Sequence, residues 1–138
     1  MRVRGFSLIE LMITVAIVAI LAAIALPSYR RYVLQGNRTD AIKALAFYQQ
    51  ALERCYSQNF TYLGCAAVTT TAMPSANGYY SIVIPAATLT ASSYVITATP
   101  ASGSVQSNDA QCTSFSLDNS GTQTSTGTAT AQKCWGSN

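Results

Sequence analysis

The sequence predicts an α+β protein, one long N-terminal α-helix packed on a small antiparallel β-sheet. Three features of the chain carry this expectation. From Phe6 to Leu26 the residues are apolar apart from a few small polar ones and a single charge, Glu10. Beyond Pro27 the apolar residues continue at spacings of three and four to about Tyr56, now on one side only. After Met73-Pro74 the pattern changes to short runs of β-branched and aromatic residues bounded by Pro, Gly, Asn and Ser.

Composition narrows the function first. With 138 residues, part of them in the apolar run, there is room for one small globular domain. The net charge of +3 is unevenly spread, because Arg2, Arg4, Arg30, Arg31, Arg38, Lys43 and Arg54 all precede Cys55. Beyond Arg54 the charges are Asp109, Asp118 and Lys133, so the distal part has no electrostatic footprint for nucleic acid and no such partner is expected. The chain contains no histidine, which removes the commonest general base and metal ligand. No catalytic residue, metal site or cofactor is expected, and the chain is not read as an enzyme. Cys55, Cys65, Cys112 and Cys134 lack the C-x-x-C spacing of zinc or thioredoxin-like sites and indicate two disulfides formed in an oxidising compartment. Three pairings are possible; Cys55–Cys65 with Cys112–Cys134 gives two local, non-crossing loops, each stabilising by roughly 2–4 kcal/mol.

The first half of the helix has the dimensions of a membrane span. Its 21 residues at 1.5 Å each cover roughly 30 Å, the thickness of the hydrocarbon core. Ala22, Ala23 and Ala25 would suit a signal-peptide cut near Pro27, but the short basic head "MRVRG" and the unbroken helical period beyond Pro27 favour a retained anchor. Glu10, near the start of the run, is then an anomaly costing about 3 kcal/mol if the run spans a bilayer, unless it snorkels to the interface or finds a partner.

The stretch "RGFSLIELMITVAIVAILAAIALPSY" resembles the N-terminus of a type IV prepilin: a basic leader ending in Gly5, an aromatic Phe6, Glu10 five residues after that glycine, the apolar run and Pro27. The resemblance implies a type IV pilin fold, cleavage between Gly5 and Phe6 by a prepilin peptidase, and N-methylation of the new terminus on Phe6. It also gives Glu10 a partner, the free amine on Phe6 of a neighbouring subunit. In a low-dielectric bundle a paired charge is tolerable and a misregistered one is heavily penalised, so Glu10 is expected to set the register of assembly. The chain departs from the family at Ala19, usually glycine, and at Phe47, where a second proline is usual; Ala19 strengthens the helix by about 1 kcal/mol relative to glycine.

Orientation brings two rules into conflict. Arg30, Arg31, Arg38 and Lys43 outnumber Arg2 and Arg4, which by the positive-inside rule puts the distal domain in the cytoplasm. Four cysteines and a leader resembling one read from the cytoplasm place that domain in the periplasm instead, and the latter is the expectation.

In the second half of the helix Ile42, Leu45, Tyr48 or Gln49, Leu52 and Cys55 or Tyr56 form the apolar face, with Arg38, Lys43, Gln50 and Glu53 pointing away from it. Pro27 and Gly36 are expected to bend the helix. Asp40 is expected to pair with Arg38 or Lys43. Tyr56, Phe60 and Tyr62 are read as core residues packing against the sheet.

The predicted strands are Gly78 to Ile84, Ser93 to Thr99 and Cys112 to Asp118. "DNSG" at Asp118 to Gly121 is a turn, and "TQTSTGTATAQKCW" is a loop or edge segment closed by Cys134, with Trp135 packed. The C-terminal pattern "LDNSGTQTSTG...KCW" is similar to PilE-like minor pilins. The organisation expected is a leader (1–5), a membrane-spanning and filament-core half-helix (6–27), an amphipathic half-helix (28–57), an αβ loop (58–77) and a sheet region closed by a disulfide (78–138).

The resemblance therefore implies a minor pilin held in the bacterial inner membrane and then assembled into an extracellular pilus. Its partners would be other pilins, prepilin peptidase and the inner-membrane assembly machinery, and its roles pilus biogenesis, twitching motility and adhesion. The alternatives are a DNA-uptake or adhesive binding pilin and a pseudopilin of a type II secretion system.

Overall fold

Helix α1 runs from Leu8 to Asn59, and its start is written in "FSLIE". Ser7 Oγ accepts the backbone N–H of Glu10 at 3.3 Å and the Ser7 carbonyl accepts Leu11 N–H at 3.2 Å, the S-x-x-E arrangement of a helix start. Its end lies three residues beyond the expected Tyr56. Phe60 N–H reaches back to the Tyr56 carbonyl at 2.7 Å, and Phe60 itself stops the helix in the left-handed region at φ 54°. Pro27 lies inside α1.

The computed structural model describes residues 6–65 and 71–136 and divides into two units, Met1–Val33 and Leu34–Asn138. In the first, every residue from Phe6 to Tyr32 is exposed. The second holds the rest of α1, a five-stranded antiparallel sheet and a buried core. Its strands are β1 (Met73–Pro74), β2 (Tyr80–Val83), β3 (Val95–Pro100), β4 (Ser114–Asp118) and β5 (Gln123–Thr126), in spatial order β1-β2-β3-β4-β5. A 3-10 turn spans Val105–Asn108, and a short helix α2 spans Ala131–Trp135.

Five strands replace the three expected. The two additions are the edges: β1 is two residues long and contains Pro74, which lacks the N–H a central strand needs, and β5 is built only of Gln, Thr and Ser. Register explains the core. Ile82 opposes Ala98, Ile96 opposes Leu117 and Ala98 opposes Phe115, so one face of β2, β3 and β4 is apolar. That face meets Ala41, Leu45 and Leu52 of α1 in a single cluster with Tyr80, Tyr94 and Cys112. Full burial of a leucine side chain contributes about 1.5–3 kcal/mol. The opposite face carries Ser81, Thr97, Thr99, Ser114 and Ser116, with Asp118 its one charge, which satisfies the period-2 rule mainly with hydroxyls.

The chain between β5 and α2 depends on Gly127. At φ 128° it lies so close to the Gln111 backbone that a Cβ would sit 2.2 Å from the Gln111 carbonyl oxygen. This approach lets Thr128 and Ala129 donate to the Ala110 and Gln111 carbonyls beside Cys112.

Candidate functional site

Two surfaces carry the candidate chemistry: the start of α1, and the side of the second unit where α1 meets the C-terminal region. At the start, Phe6 and Glu10 are both exposed, and the Glu10 carboxylate bonds to no other described residue. Gly5 lies outside the described residues. Leu8, Leu11, Ile17, Leu21 and Ile24 are all more than half exposed, as no folded monomer in water would leave them. By length and composition α1 is able to cross a membrane. Sequence reasoning missed a local role for Glu10. As the acid in the first turn it is favoured by the helix dipole by about 0.3–1 kcal/mol, a signal present in Ser7-x-x-Glu10.

The second surface is organised by a buried ion pair that sequence neighbours did not indicate. Arg38, 4% exposed, donates from Nε to Asp109 Oδ2 at 2.7 Å and from Nη2 to Oδ1 at 2.9 Å, and also to Gln111 Oε1 at 3.1 Å. Asp109, 3% exposed, accepts the Gln111 and Cys112 backbone N–H groups at 3.2 and 3.4 Å. Asp40 pairs with neither Arg38 nor Lys43. It turns toward the Met73–Tyr80 segment, accepting the Ser75 hydroxyl and, at 3.1 Å, the Asn77 N–H. Ser75 Oγ in turn accepts Tyr80 N–H at 2.9 Å. Buried Gln106 completes the set, donating to the Leu34 carbonyl at 3.2 Å and to Tyr80 Oη at 2.8 Å while accepting from Asn37 Nδ2 at 3.1 Å. Arg38 is thus a core residue, because a bidentate guanidinium–carboxylate pair replaces the water both groups lose.

Glu53 likewise does not face solvent alone. Its carboxylate accepts the Tyr94 hydroxyl at 2.7 Å and the Tyr62 hydroxyl at 3.1 Å, and Tyr62 also stacks on Tyr56 with ring centroids 4.5 Å apart. Burial, reinforced by the hydrogen bond to the Glu53 carboxylate, pushes the Tyr62 phenol up to about 12. The same two causes raise Tyr94 further. Phe60, expected in the core, is 81% exposed, because its left-handed backbone turns the ring outward.

Two disulfides join Cys55 to Cys65 and Cys112 to Cys134, with Cα atoms 6.0 and 5.8 Å apart. The second ties α2 to the start of β4. Thr130 caps α2 by accepting Lys133 N–H at 3.4 Å, and Trp135 packs edge-on against Phe115 while its Nε1 donates to the Thr124 carbonyl at 3.0 Å. A shallow cavity of about 110 Å³ lies beside it, lined by Gln123, Ala131, Gln132 and Trp135. At the β4–β5 turn the Ser120 hydroxyl and the Thr122 and Ser120 backbone N–H groups hold the Asp118 carboxyl below its usual range. Among the described residues of this unit the exposed cations are Lys43, Arg54 and Lys133. No three His, Cys, Asp or Glu side chains among the described residues come together to hold a metal ion.

Comparison with known proteins agrees with this division of labour. Residues 1–26 match the model of the prokaryotic N-terminal methylation motif, and residues 27–116, well over half the chain, match that of the type IV minor pilin ComP, DNA uptake sequence receptor. Fimbrial protein EcpC of Eikenella corrodens is 40% identical over 98 residues, 70% of this chain. Prepilin peptidase-dependent protein D of Escherichia coli (strain K12) is 44% identical over 52 residues, 38% of this chain. The chain spans 61% and 36% of the lengths of these two relatives. The non-core minor pilin PilV of Neisseria meningitidis shares the fold, with a TM-score of 0.55 over 70% of this chain and 89% of that one at 15% identity. A methylation-type head on a fully exposed apolar half-helix, followed by a helix-on-sheet unit that the ComP model matches as far as Ser116 in β4, identifies the chain as a type IV minor pilin subunit and a member of that family.

Proposed function

We propose that the chain is cleaved between Gly5 and Phe6 by prepilin peptidase, methylated on Phe6, and held in the inner membrane with Leu34–Asn138 in the periplasm. The assembly machinery then moves it into the pilus, where it supports biogenesis, twitching motility and adhesion without catalysing a reaction. The observation that carries this reading is the exposed apolar half of α1 with one carboxylate in its first turn. Stacked beside like helices, Glu10 takes the terminal amine of a neighbour's Phe6, and any axial slip strands a charge in a low-dielectric bundle. Pro27, inside α1, is the place where the helix can bend without losing more than one backbone hydrogen bond. The experiment is Glu10→Val in a strain carrying the pilus: the subunit still enters the membrane but is lost from sheared pili. Unchanged incorporation refutes the register role.

A second reading, reception of DNA, is favoured by the family model matched over residues 27–116. Within Leu34–Asn138 the exposed cations are Lys43, Arg54 and Lys133, so that unit offers three phosphate contacts and a salt slope of only about −3. Anisotropy titrations of labelled duplex with the full chain across salt concentrations test it. Absence of binding at low salt removes this reading and leaves the structural one untouched.

A further inference from the structure

We propose that Tyr29, Arg30, Arg31 and Tyr32 form a collar that binds anionic phospholipid headgroups at the far end of the membrane span, fixing the subunit's depth before assembly. The inference rests on the membrane stage proposed above. The four residues follow the apolar run after Pro27 and Ser28, and all are exposed, the tyrosines at 66% and 74%. At roughly 100° per residue, four consecutive helical positions point to every side of the axis. A protein partner reads one face of a helix, whereas a headgroup layer surrounds it on all sides. Spacing agrees. The apolar run from Phe6 to Leu26 covers roughly 30 Å, one hydrocarbon thickness, and Arg30 lies four residues, about 6 Å, beyond its end, at headgroup level.

The chemistry is specific to phosphate at an interface. Tyrosine is amphipathic and settles at headgroup level, and a guanidinium donates a planar pair of N–H groups to phosphate oxygens. Both arginines are available. No acidic residue lies between Glu10 and Asp40, and the ion pair found among the described residues engages Arg38, not these two. Burial of Arg38 against Asp109 also removes it from the free charges flanking the span. Arg30 and Arg31 therefore dominate the conflict with the positive-inside rule, and lipid phosphate offers a reason for them.

The test uses the full chain in neutral detergent micelles, titrated with short-chain phosphatidylglycerol or phosphatidylcholine while the Tyr29 and Tyr32 ring resonances are followed by NMR. Phosphatidylglycerol is expected to bind more tightly by about fivefold per arginine. The preference disappears in R30Q/R31Q and survives in R30K/R31K and in R2Q/R4Q. Equal affinity for both lipids, or a preference that survives in R30Q/R31Q, overturns the proposal. So does loss of pilus assembly in R30Q/R31Q with the lipid preference intact, which assigns the arginines to a protein partner. Carbonate extraction separates the two readings: a chain washed from cell membranes overturns the membrane stage and the collar together, while an integrated chain without the preference overturns the collar alone.

Discussion

One helix serves two environments, and the change falls near Val33. On the N-terminal side α1 leaves Leu21 61% exposed and makes the bonds of its own backbone; on the other side it buries Ala41, Leu45 and Leu52 completely and commits Arg38 and Asp40 to polar partners. The same residue type thus has opposite meanings along one element. Leu8, Leu11, Leu21 and Leu26 are surface, and Leu45 and Leu52 are core. Charge follows the same division, since Glu10 bonds to no other described residue while Arg38 and Asp109 are paired.

The contrast breaks most visibly at the buried pair. Asp109→Ala strands the Arg38 guanidinium, and urea denaturation of the full chain in detergent should register a loss of about 3–5 kcal/mol. The double variant R38M/D109L should recover most of that loss, because removing both charges removes the desolvation penalty with them. Should the single and double variants be equally unstable, packing rather than the ion pair holds this side of the unit together.

Matched substitutions in the two halves of α1 sharpen the comparison. Leu45→Ala is expected to cost about 2–5 kcal/mol by the same assay, and Leu21→Ala less than about 0.5 kcal/mol. Equal effects would show that the N-terminal half also supports the folded unit.

A smaller effect belongs to the tyrosines on Glu53. Tyr62 titrates near 12 when folded and near 10 when unfolded, so the folded state holds its proton longer. The stability this contributes is complete below about pH 10 and is lost as pH rises through about 12. Ultraviolet titration of tyrosinate should therefore show Tyr62 and Tyr94 among the late phenols, and Glu53→Gln should bring both down part of the way, since burial, the larger cause, remains. Smallest is Phe60→Gly, which relieves a left-handed phenylalanine and should raise stability by up to about 1 kcal/mol, with no loss of core.

The sequence announced what is periodic and concealed what is distant or short. Alternation in "GYYSIVI" and "SYVITAT" revealed β2 and β3 because each buries every second side chain. Strand β5 offers no such alternation, since Gln123, Thr124, Ser125 and Thr126 give a one-letter pattern indistinguishable from a loop. Strand β1 has two residues, one of them proline, and α2 has a single turn and a half behind Thr130. The Arg38–Asp109 pair joins positions 71 residues apart, beyond the reach of any spacing rule; the local alternative, Asp40 with Arg38 or Lys43, failed because both charges turn into the unit rather than along the helix. A signal did exist. Asp109 is one of three charges beyond Arg54, and with two carboxylates there against the single cation Lys133, one that becomes buried needs a cation from elsewhere. The N-terminal motif, matched over residues 1–26, was legible because it depends on fixed offsets along the chain rather than on tertiary contacts.

Intact mass and N-terminal sequencing of the subunit recovered from sheared pili test the central claim most directly. The expected chain begins at N-methylated Phe6, with residues 1–5 removed and Glu10 in the first turn after the new amine. A recovered chain that keeps Met1, or that begins near Ser28 without its apolar half-helix, contradicts it.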